Sequence, residues 1–332
     1  MSKKSAARTE ADRLVVAHPE APTRTLAQRI AREYKIPVES ARSLVRSSRG
    51  ANGIAMRKKS KPSVARPAQP SGWRPTMPRS VAEPWVDFEL QARRLGVMND
   101  LHIPFHDDQA LRAAIKLFKS HRLDTLLVNG DAMDFYWASR FDKNPKTRDF
   151  LFELKSGREF FAWLRREFPR QRLVLKMGNH EERWDKMIWN HHAMLSSDPL
   201  LSLRQWLYLD DHGVELVGGQ RPVVAGHLPI LHGHELPKGI TSPVNVASSV
   251  FRKLGGSAMI GHHHRLSVHN EPTWRHEPKT TWSIGCLCSL NPEYAVINRW
   301  DHSVARVDIA QDGTYEVMPW KKDQGSNRFK RA

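Results

Sequence analysis

The feature that most constrains this chain is a repeated arrangement in which a short, mostly apolar run leads directly into a polar cluster. RRLGVM (93–98) is followed by NDLH, LDTLLVN (123–129) by GDAMD, RLVLKM (172–177) by GNHE, LPIL (228–231) by HGHE and SAMI (257–260) by GHHH. Apolar runs of this length read as buried strands. Helical patterns lie between them. DDQALRAAIKLFKSH places Leu111, Ala114, Ile115 and Phe118 on one face, and FLFELKSGREFFAWLRREF is a longer amphipathic helix. This alternation predicts an α/β domain with helices covering a central sheet. Ligands in such folds collect beyond the carboxyl ends of the strands, so five polar loops can meet at one point.

The residue types in those loops suit a metal. Asp, Asn and His offer oxygen and imidazole donors, which fit Mn, Fe, Zn, Ni or Co; no Cys takes part, so a thiolate site is disfavoured. Asp100 and His102 stand two apart, as do His262 and His264. In an extended segment both members of each pair point to one side and His263 points to the other. The two cysteines, Cys286 and Cys288, alternate with Leu287 in TWSIGCLCSL and read as small core residues on one face of a strand.

Taken in order, the motifs are Asp100-Leu101-His102, Gly130-Asp131-Ala132-Met133-Asp134, Gly178-Asn179-His180-Glu181, His232-Gly233-His234 and Gly261-His262-His263-His264. The set D-x-H, G-D-x-x-D, G-N-H-E, H-G-H, G-H-x-H resembles the calcineurin-like metallophosphoesterase superfamily, over residues 95 to 265. The resemblance implies a layered β-sandwich of that type flanked by helices, and two divalent metal ions, Mn foremost. It implies Asp100, His102, Asp131 and His264 around the first ion and Asp131, Asn179, His232 and His262 around the second, with Asp131 between them. The implied reaction is phosphoester hydrolysis, in which a hydroxide bridging the ions attacks phosphorus in line. His180 would contact the scissile phosphate or protonate the leaving group. Asp134 would orient a ligand, its plain alternative being a helix cap. His234 shares its segment with His232 and is a candidate substrate contact. His106, His191, His192 and His227 read as pocket-lining, packing or surface residues.

The substrate class is less constrained. The protein phosphatase branch of the superfamily carries Arg-Gly after the second Asp of its second motif, whereas Phe135-Tyr136 follow Asp134 here. Arg140 and Arg183 are candidate phosphate clamps. The neighbouring Tyr136, Trp137, Phe141 and Trp184 are candidate platforms for bases, or simply core.

The net charge of +17 is uneven: residues 1–66 carry 16 Lys and Arg against 5 Asp and Glu. A basic arm on a more neutral body points to a polyanion, nucleic acid before membrane, with a solvated tail as the plain alternative. Residues 1–50 read as three short helices, with Thr25 capping the second; Val38, Ala41, Leu44 and Val45 line one side of the third, and Arg42, Arg46 and Arg49 line the other. That layout resembles a helix-turn-helix module, and such a segment ahead of this catalytic domain resembles phage and prophage phosphoesterases. A packing module is the alternative. Residues 51–86 are Pro-rich and basic and read as a linker, 87–320 as the catalytic domain, and 321–332 as a disordered basic tail. The chain has no signal-like N-terminus and no long apolar run, and the expected location is cytoplasmic. No pattern in it specifies an oligomeric state. The leading expectation is a two-metal phosphodiesterase or nuclease. The alternatives are a phosphomonoesterase on a nucleotide or other small ester, and a DNA-binding protein whose phosphoesterase domain serves assembly or regulation.

Overall fold

The computed structural model describes residues 3–50, 76–82, 84–139, 149–218, 220–237, 244–274, 277–323 and 325–332. They fall into two compact units, Met1–Ala82 and Glu83–Ala332.

The first unit holds helices α1 (Lys3–Ala17), α2 (Thr23–Tyr34) and α3 (Val38–Ser48). Ala7, Ala11 and Leu14 of α1 pack against Leu26, Ala27 and Ile30 of α2 and Ala41 and Val45 of α3, giving the module its own small core. Val38 lies outside that core, exposed. Thr25 does not cap α2. The helix begins two residues earlier with Pro22 at the cap, whose fixed φ suits a helix start. Of the three arginines expected to meet nucleic acid, Arg46 is exposed and Arg42 pairs with Glu39 at 3.2 Å. Arg49 donates to Thr23 Oγ1 (2.9 Å) and to the carbonyls of Pro19 (3.1 Å) and Ala21 (2.5 Å). Its guanidinium therefore fastens the α1–α2 turn to the end of α3, which is a structural use of a residue expected to face phosphate. Most of the expected linker, residues 51–75, lies outside the described residues.

The second unit is built on two sheets. The larger contains β2 (Arg94–Met98), β3 (Thr125–Asn129), β4 (Arg172–Lys176) and β5 (Val214–Val217), mutually parallel, with β11 (Ser303–Ile309), β12 (Tyr315–Lys322) and β13 (Phe329–Arg331) added antiparallel along the β2 edge. The smaller contains β1 (Phe88–Glu89), β6 (Val223–Ala225), β7 (Leu228–Ile230), β8 (Ala258–Ile260), β10 (Lys279–Ser283) and β9 (Ser267–Glu271), in that spatial order. The period-two alternation of a strand decides what each face meets. Leu95, Val97, Leu127 and Val174 point into the layer shared with Val223, Leu228, Ile230 and Met259 of the smaller sheet. Met98, Leu126, Val128, Leu173 and Leu175 point the other way, onto helices α4 (Asp108–Ser120) and α5 (Phe150–Glu167). Asp107 and Asp149 cap those helices by accepting from Ala110 N and Phe152 N. Two short helices, α6 (Glu182–His191) and α7 (Leu203–Trp206), follow β4, and α8 (Val246–Leu254) covers the outer face of the smaller sheet through Val246 and Val250. The architecture is the expected layered α/β sandwich, with two sheets in place of the single central sheet read from the alternation alone.

Two expectations need correction. The C-terminal residues are not a disordered tail: β13 pairs with β12, and Phe329 is buried in the core under α4 and α5. Nor are Cys286 and Cys288 in a strand. The chain leaves β10 after Ser283 and crosses between the sheets, its backbone bonds going to other loops: Cys286 N to Asp301 O, Leu287 N to Asp100 O and Ser289 N to Phe105 O.

Candidate metal centre

Each polar motif begins where its strand ends. β2, β3 and β4 of the larger sheet deliver Asp100 and His102, Asp131 and Asp134, and Asn179 and His180. β7 and β8 of the smaller sheet deliver His232 and His234, and His262 and His264. The loops meet at the seam of the two sheets. His264 Nε2 lies 3.2 Å from Asp100 Oδ1 and 3.2 Å from His102 Nε2. His232 Nε2 lies 3.3 Å from Asp131 Oδ2, and His262 offers a nitrogen to the same group. Asp131 Oδ2 is also 3.9 Å from His102 Nε2 and 3.8 Å from His180 Nε2, so it stands between the two halves.

The backbone does not reach this arrangement by extension. Asp100, His102, Asp131, His262 and His264 all take left-handed conformations, with φ between 50° and 65°. Non-glycine residues there cost about 1–3 kcal/mol each, and such strain gathers at functional sites. Alternating turns, not a straight strand, bring each Asp/His or His/His pair to one side, and His263 lies half-buried with its ring 5.1 Å from that of His262. Two motif glycines answer to close approach. A Cβ on Gly130 would stand 2.3 Å from His232 Nδ1, and one on Gly178 would stand 2.2 Å from Asp131 Oδ1.

Outer bonds set the tautomers. His102 Nδ1 donates to Asp134 Oδ1 (2.8 Å) and His232 Nδ1 to Asn129 O (2.8 Å), which turns both Nε2 atoms toward the centre. Asp134 thus orients His102, and no helix starts at it. Burial by itself lowers a histidine pKa, yet three rings here are raised by their acidic neighbours. His102 is pushed up to about 9 by its bond to Asp134, His232 to about 10 by Asp131 and Asp100, and His264 to about 10 by Asp100. Against the same burial, His264 and His232 hold the Asp100 carboxyl down to about 2. Burial brings His262 down to about 3.

This donor set fits a cation. Asp100 Oδ1, Asn179 Oδ1 and His232 Nε2 are buried without a hydrogen-bond partner, and buried polar atoms are rarely left so. The facing Nε2 atoms of His102 and His264 have the same need. A divalent ion would replace ring protons, so its uptake releases protons.

Several supporting residues escaped the sequence reading. Glu181, fully buried, accepts from the backbone N–H of Asp131 (2.9 Å), Met133 (2.8 Å) and Gly178 (2.8 Å), joining two motif loops. Glu235 accepts from His232 N and Gly233 N and pairs with the buried Lys176 at 2.5 Å. Both glutamates sit inside the quoted motifs, and the signal available was an acid beside a candidate ligand. Cys288 Sγ lies 3.8 Å from His264 Nδ1, so this core thiol touches the site.

Among the expected substrate contacts, Arg183 donates to Asp134 O (2.8 Å) and to His180 Nε2 (2.8 Å), at the edge of the cluster. His234 Nε2 is 2.9 Å from Glu182 Oε1 and is held there. Arg140 and Phe141 lie outside the described residues. Trp184 is buried against Phe150 and Trp206, and Trp137 packs on the same aromatic cluster, so neither is a platform for bases.

Beneath Asp134, Glu153 of α5 is 1 % exposed and accepts from Tyr136 N. Burial, then the Asp134 charge, push its carboxyl up to about 8. An unfolded Glu titrates near about 4.3. The neutral form is therefore favoured in the fold, and its contribution to stability fades as pH rises from about 5 through 8. Glu153→Gln, which cannot ionise, is expected to flatten that decline. Its melting temperature should gain on wild type between pH 5 and pH 8.5, and parallel curves would refute the assignment.

The sequence profile of the calcineurin-like phosphoesterase family matches residues 93–290, more than half of the chain. Gene 54 protein of Mycobacterium phage D29 is 26% identical over 202 residues, covering 58% of this chain and 78% of that protein. Gene 54 protein of Mycobacterium phage L5 is 26% identical over 184 residues, covering 53% and 71%. Among solved structures, Vps29 of Chaetomium thermophilum superposes with a TM-score of 0.38 at 14% identity, over 73% of this chain and 95% of its own. Yfce, a phosphoesterase from E. coli, gives 0.31 at 13% identity, over 67% and 96%. Likenesses this distant say nothing of the chemistry here.

Proposed function

Since the chain belongs to the calcineurin-like phosphoesterase family, we propose that it is a two-metal phosphodiesterase acting on nucleic acid. The observation that carries this reading is the buried convergence of Asp100, His102, Asp131, His232, His262 and His264, with unpartnered donor atoms at its middle. Asp100, His102, Asp131 and His264 would hold one ion, and Asp131, Asn179, His232 and His262 the other, Mn being the first choice for such oxygen and imidazole donors. When bound, the ions supply an activated water and neutralise charge growing on the phosphoryl oxygens.

The remaining work falls to protein groups. Arg183 always donates, so His180 Nε2 accepts from it and His180 Nδ1 donates to Asp134 O (2.7 Å). A phosphate at the centre offers Arg183 better acceptors. As the guanidinium moves to them, His180 Nε2 is freed to take up a proton from solvent, and the ring, still bonded through Nδ1 to Asp134 O, can pass that proton to the leaving oxygen. The uneven basic charge, concentrated in residues 1–66, supports nucleic acid as the substrate. No helix among the described residues is long and apolar enough to cross a membrane. A phosphomonoesterase acting on a nucleotide is the second reading, favoured by the small volume, about 250 Å³, of the cleft beside the centre.

The test is Mn-loaded protein on a panel of aryl monoesters, aryl diesters, single-stranded DNA and RNA, run across a salt series. Diester and polynucleotide cleavage is expected, with polynucleotide affinity falling steeply as salt rises, because bound phosphates release counterions. Turnover of monoesters alone would establish the second reading, and no turnover of any substrate would remove both.

A further inference from the structure

A cleft of about 250 Å³ opens directly on the candidate centre, since His102 and Asp134 form part of its wall. Four aromatic side chains, Phe105, Tyr136, Tyr294 and Trp300, also line it, with Asn291 and Glu293 among its polar residues. Phe105 and Tyr136 meet edge to face at 6.0 Å, and Tyr294 and Trp300 at 6.1 Å. Trp300 also touches the centre, its ring 4.1 Å from that of His264. One loop, residues 291–300, supplies five of the eleven lining residues and lies beyond the part of the chain that matches the family. It is held in shape by its own asparagines: Asn291 Nδ2 donates to Val296 O, and Asn298 Nδ2 to Leu290 O and Ala295 O. Its stems are bonded to the motif loops, Leu287 N to Asp100 O and Asp301 N to His264 O. The cleft is thereby fixed in position relative to the candidate centre.

We infer that this cleft is a subsite for the base of a single unpaired nucleotide, so that the protein acts on single-stranded or frayed nucleic acid and not on intact duplex. The inference deepens the phosphodiesterase reading and rests on it. Aromatic walls suit a flat ring, because bases stack on such side chains with little regard to sequence. The volume falls just below the roughly 300–1,000 Å³ typical of small-molecule sites, so it admits one ring system and no base pair. A base inside a duplex is out of reach of such a cleft unless it is flipped out. The polar lining adds acceptors: Tyr136 Oη donates to Glu293 Oε1 (3.0 Å), and the Asn291 amide nitrogen is already engaged, which leaves carboxylate and amide oxygens for the amino group of a base.

The experiment has two arms, both on the full-length Mn-loaded protein. In the first, the probe is a phosphorothioate-linked single strand bearing 2-aminopurine at its end, followed by fluorescence, with the same strand annealed to its complement as comparison. Wild type is expected to quench the single strand and bind it at least about tenfold more tightly than the duplex. Trp300→Ala and Tyr294→Ala should each weaken single-strand binding about five- to tenfold; Tyr294 is 65% exposed, so its loss leaves the fold intact. In the second, the p-nitrophenyl esters of adenosine 5′-monophosphate and of methyl phosphate are compared by kcat/KM. The variants should lower the nucleoside ester several-fold more than the methyl ester. Unchanged quenching and affinity in both variants, or an equal fall on both esters, would overturn the subsite. If base stacking is seen with no turnover of either ester, the hydrolytic reading fails and the subsite stands.

Discussion

Asp131→Asn is expected to lower phosphoester turnover by about a thousandfold or more while leaving the fold in place. The change keeps shape but removes the one carboxylate whose Oδ2 faces His232, His102 and His180 together. Two closely opposed cations with no negative charge between them repel, so the substitution should also empty at least one site. A lost electrostatic contact of this kind typically costs roughly a hundred- to a thousandfold in rate, and loss of an ion adds to that. Asp131 Oδ1 accepts from His180 N at 2.9 Å, a bond the amide oxygen can keep, so circular dichroism and melting of the metal-free variant should stay close to wild type. The checks are metal content by elemental analysis and kcat on an aryl diester. Full activity in a variant that binds no metal would end the two-metal account.

Glu181→Ala should be the most damaging change outside the ligand set. It strands three buried N–H groups, those of Asp131, Met133 and Gly178. An unsatisfied buried donor costs about 1–3 kcal/mol, so a loss of roughly 3–5 kcal/mol is expected. In a unit of this size that lowers the melting temperature by about 10 °C. Glu181→Gln should not rescue it. The carboxylate accepts at both oxygens, and an amide would turn an NH₂ toward N–H groups that also donate. Thermal melts of both variants, with metal titrations at a temperature where each is folded, test this. A stable Gln variant with wild-type metal affinity would show that the carboxylate is dispensable.

Much of this protein was legible because its chemistry is local. Apolar runs of strand length are strands wherever they land, and a ligand that follows a strand directly is found by counting along the chain. Asp100, Asp131, Asn179 and the histidines at 232, 262 and 264 were placed just past strand ends that way, whereas their division between two ions came from the resemblance to the family. Helix α4 was read from the period of Leu111, Ala114, Ile115 and Phe118, all of which are buried. The same counting gave a wrong reason for the D-x-H and H-x-H pairs, because it assumed extension where the backbone takes left-handed turns.

Residues whose role depends on a distant partner were out of reach. Arg49 looked like a free basic residue until its carbonyl partners near residue 20 were placed beside it. Phe329 is one apolar residue in a basic run, and only β12 makes a strand of its neighbourhood. Trp184 and Trp300 are equally aromatic on paper, yet one is in the core and the other lines the cleft.

By itself, the sequence determined which side chains could bind metal, the order in which they come and the strands that carry them, since each follows from neighbours a few positions away. Tertiary structure alone decided that the carriers belong to two sheets meeting at a seam, that Glu181 and Lys176 lock the loops, and that residues 291–300 wall a cleft beside the centre. Those outcomes depend on hydrogen bonds and burial between segments far apart in the chain, and no local pattern encodes which distant segment will supply the partner.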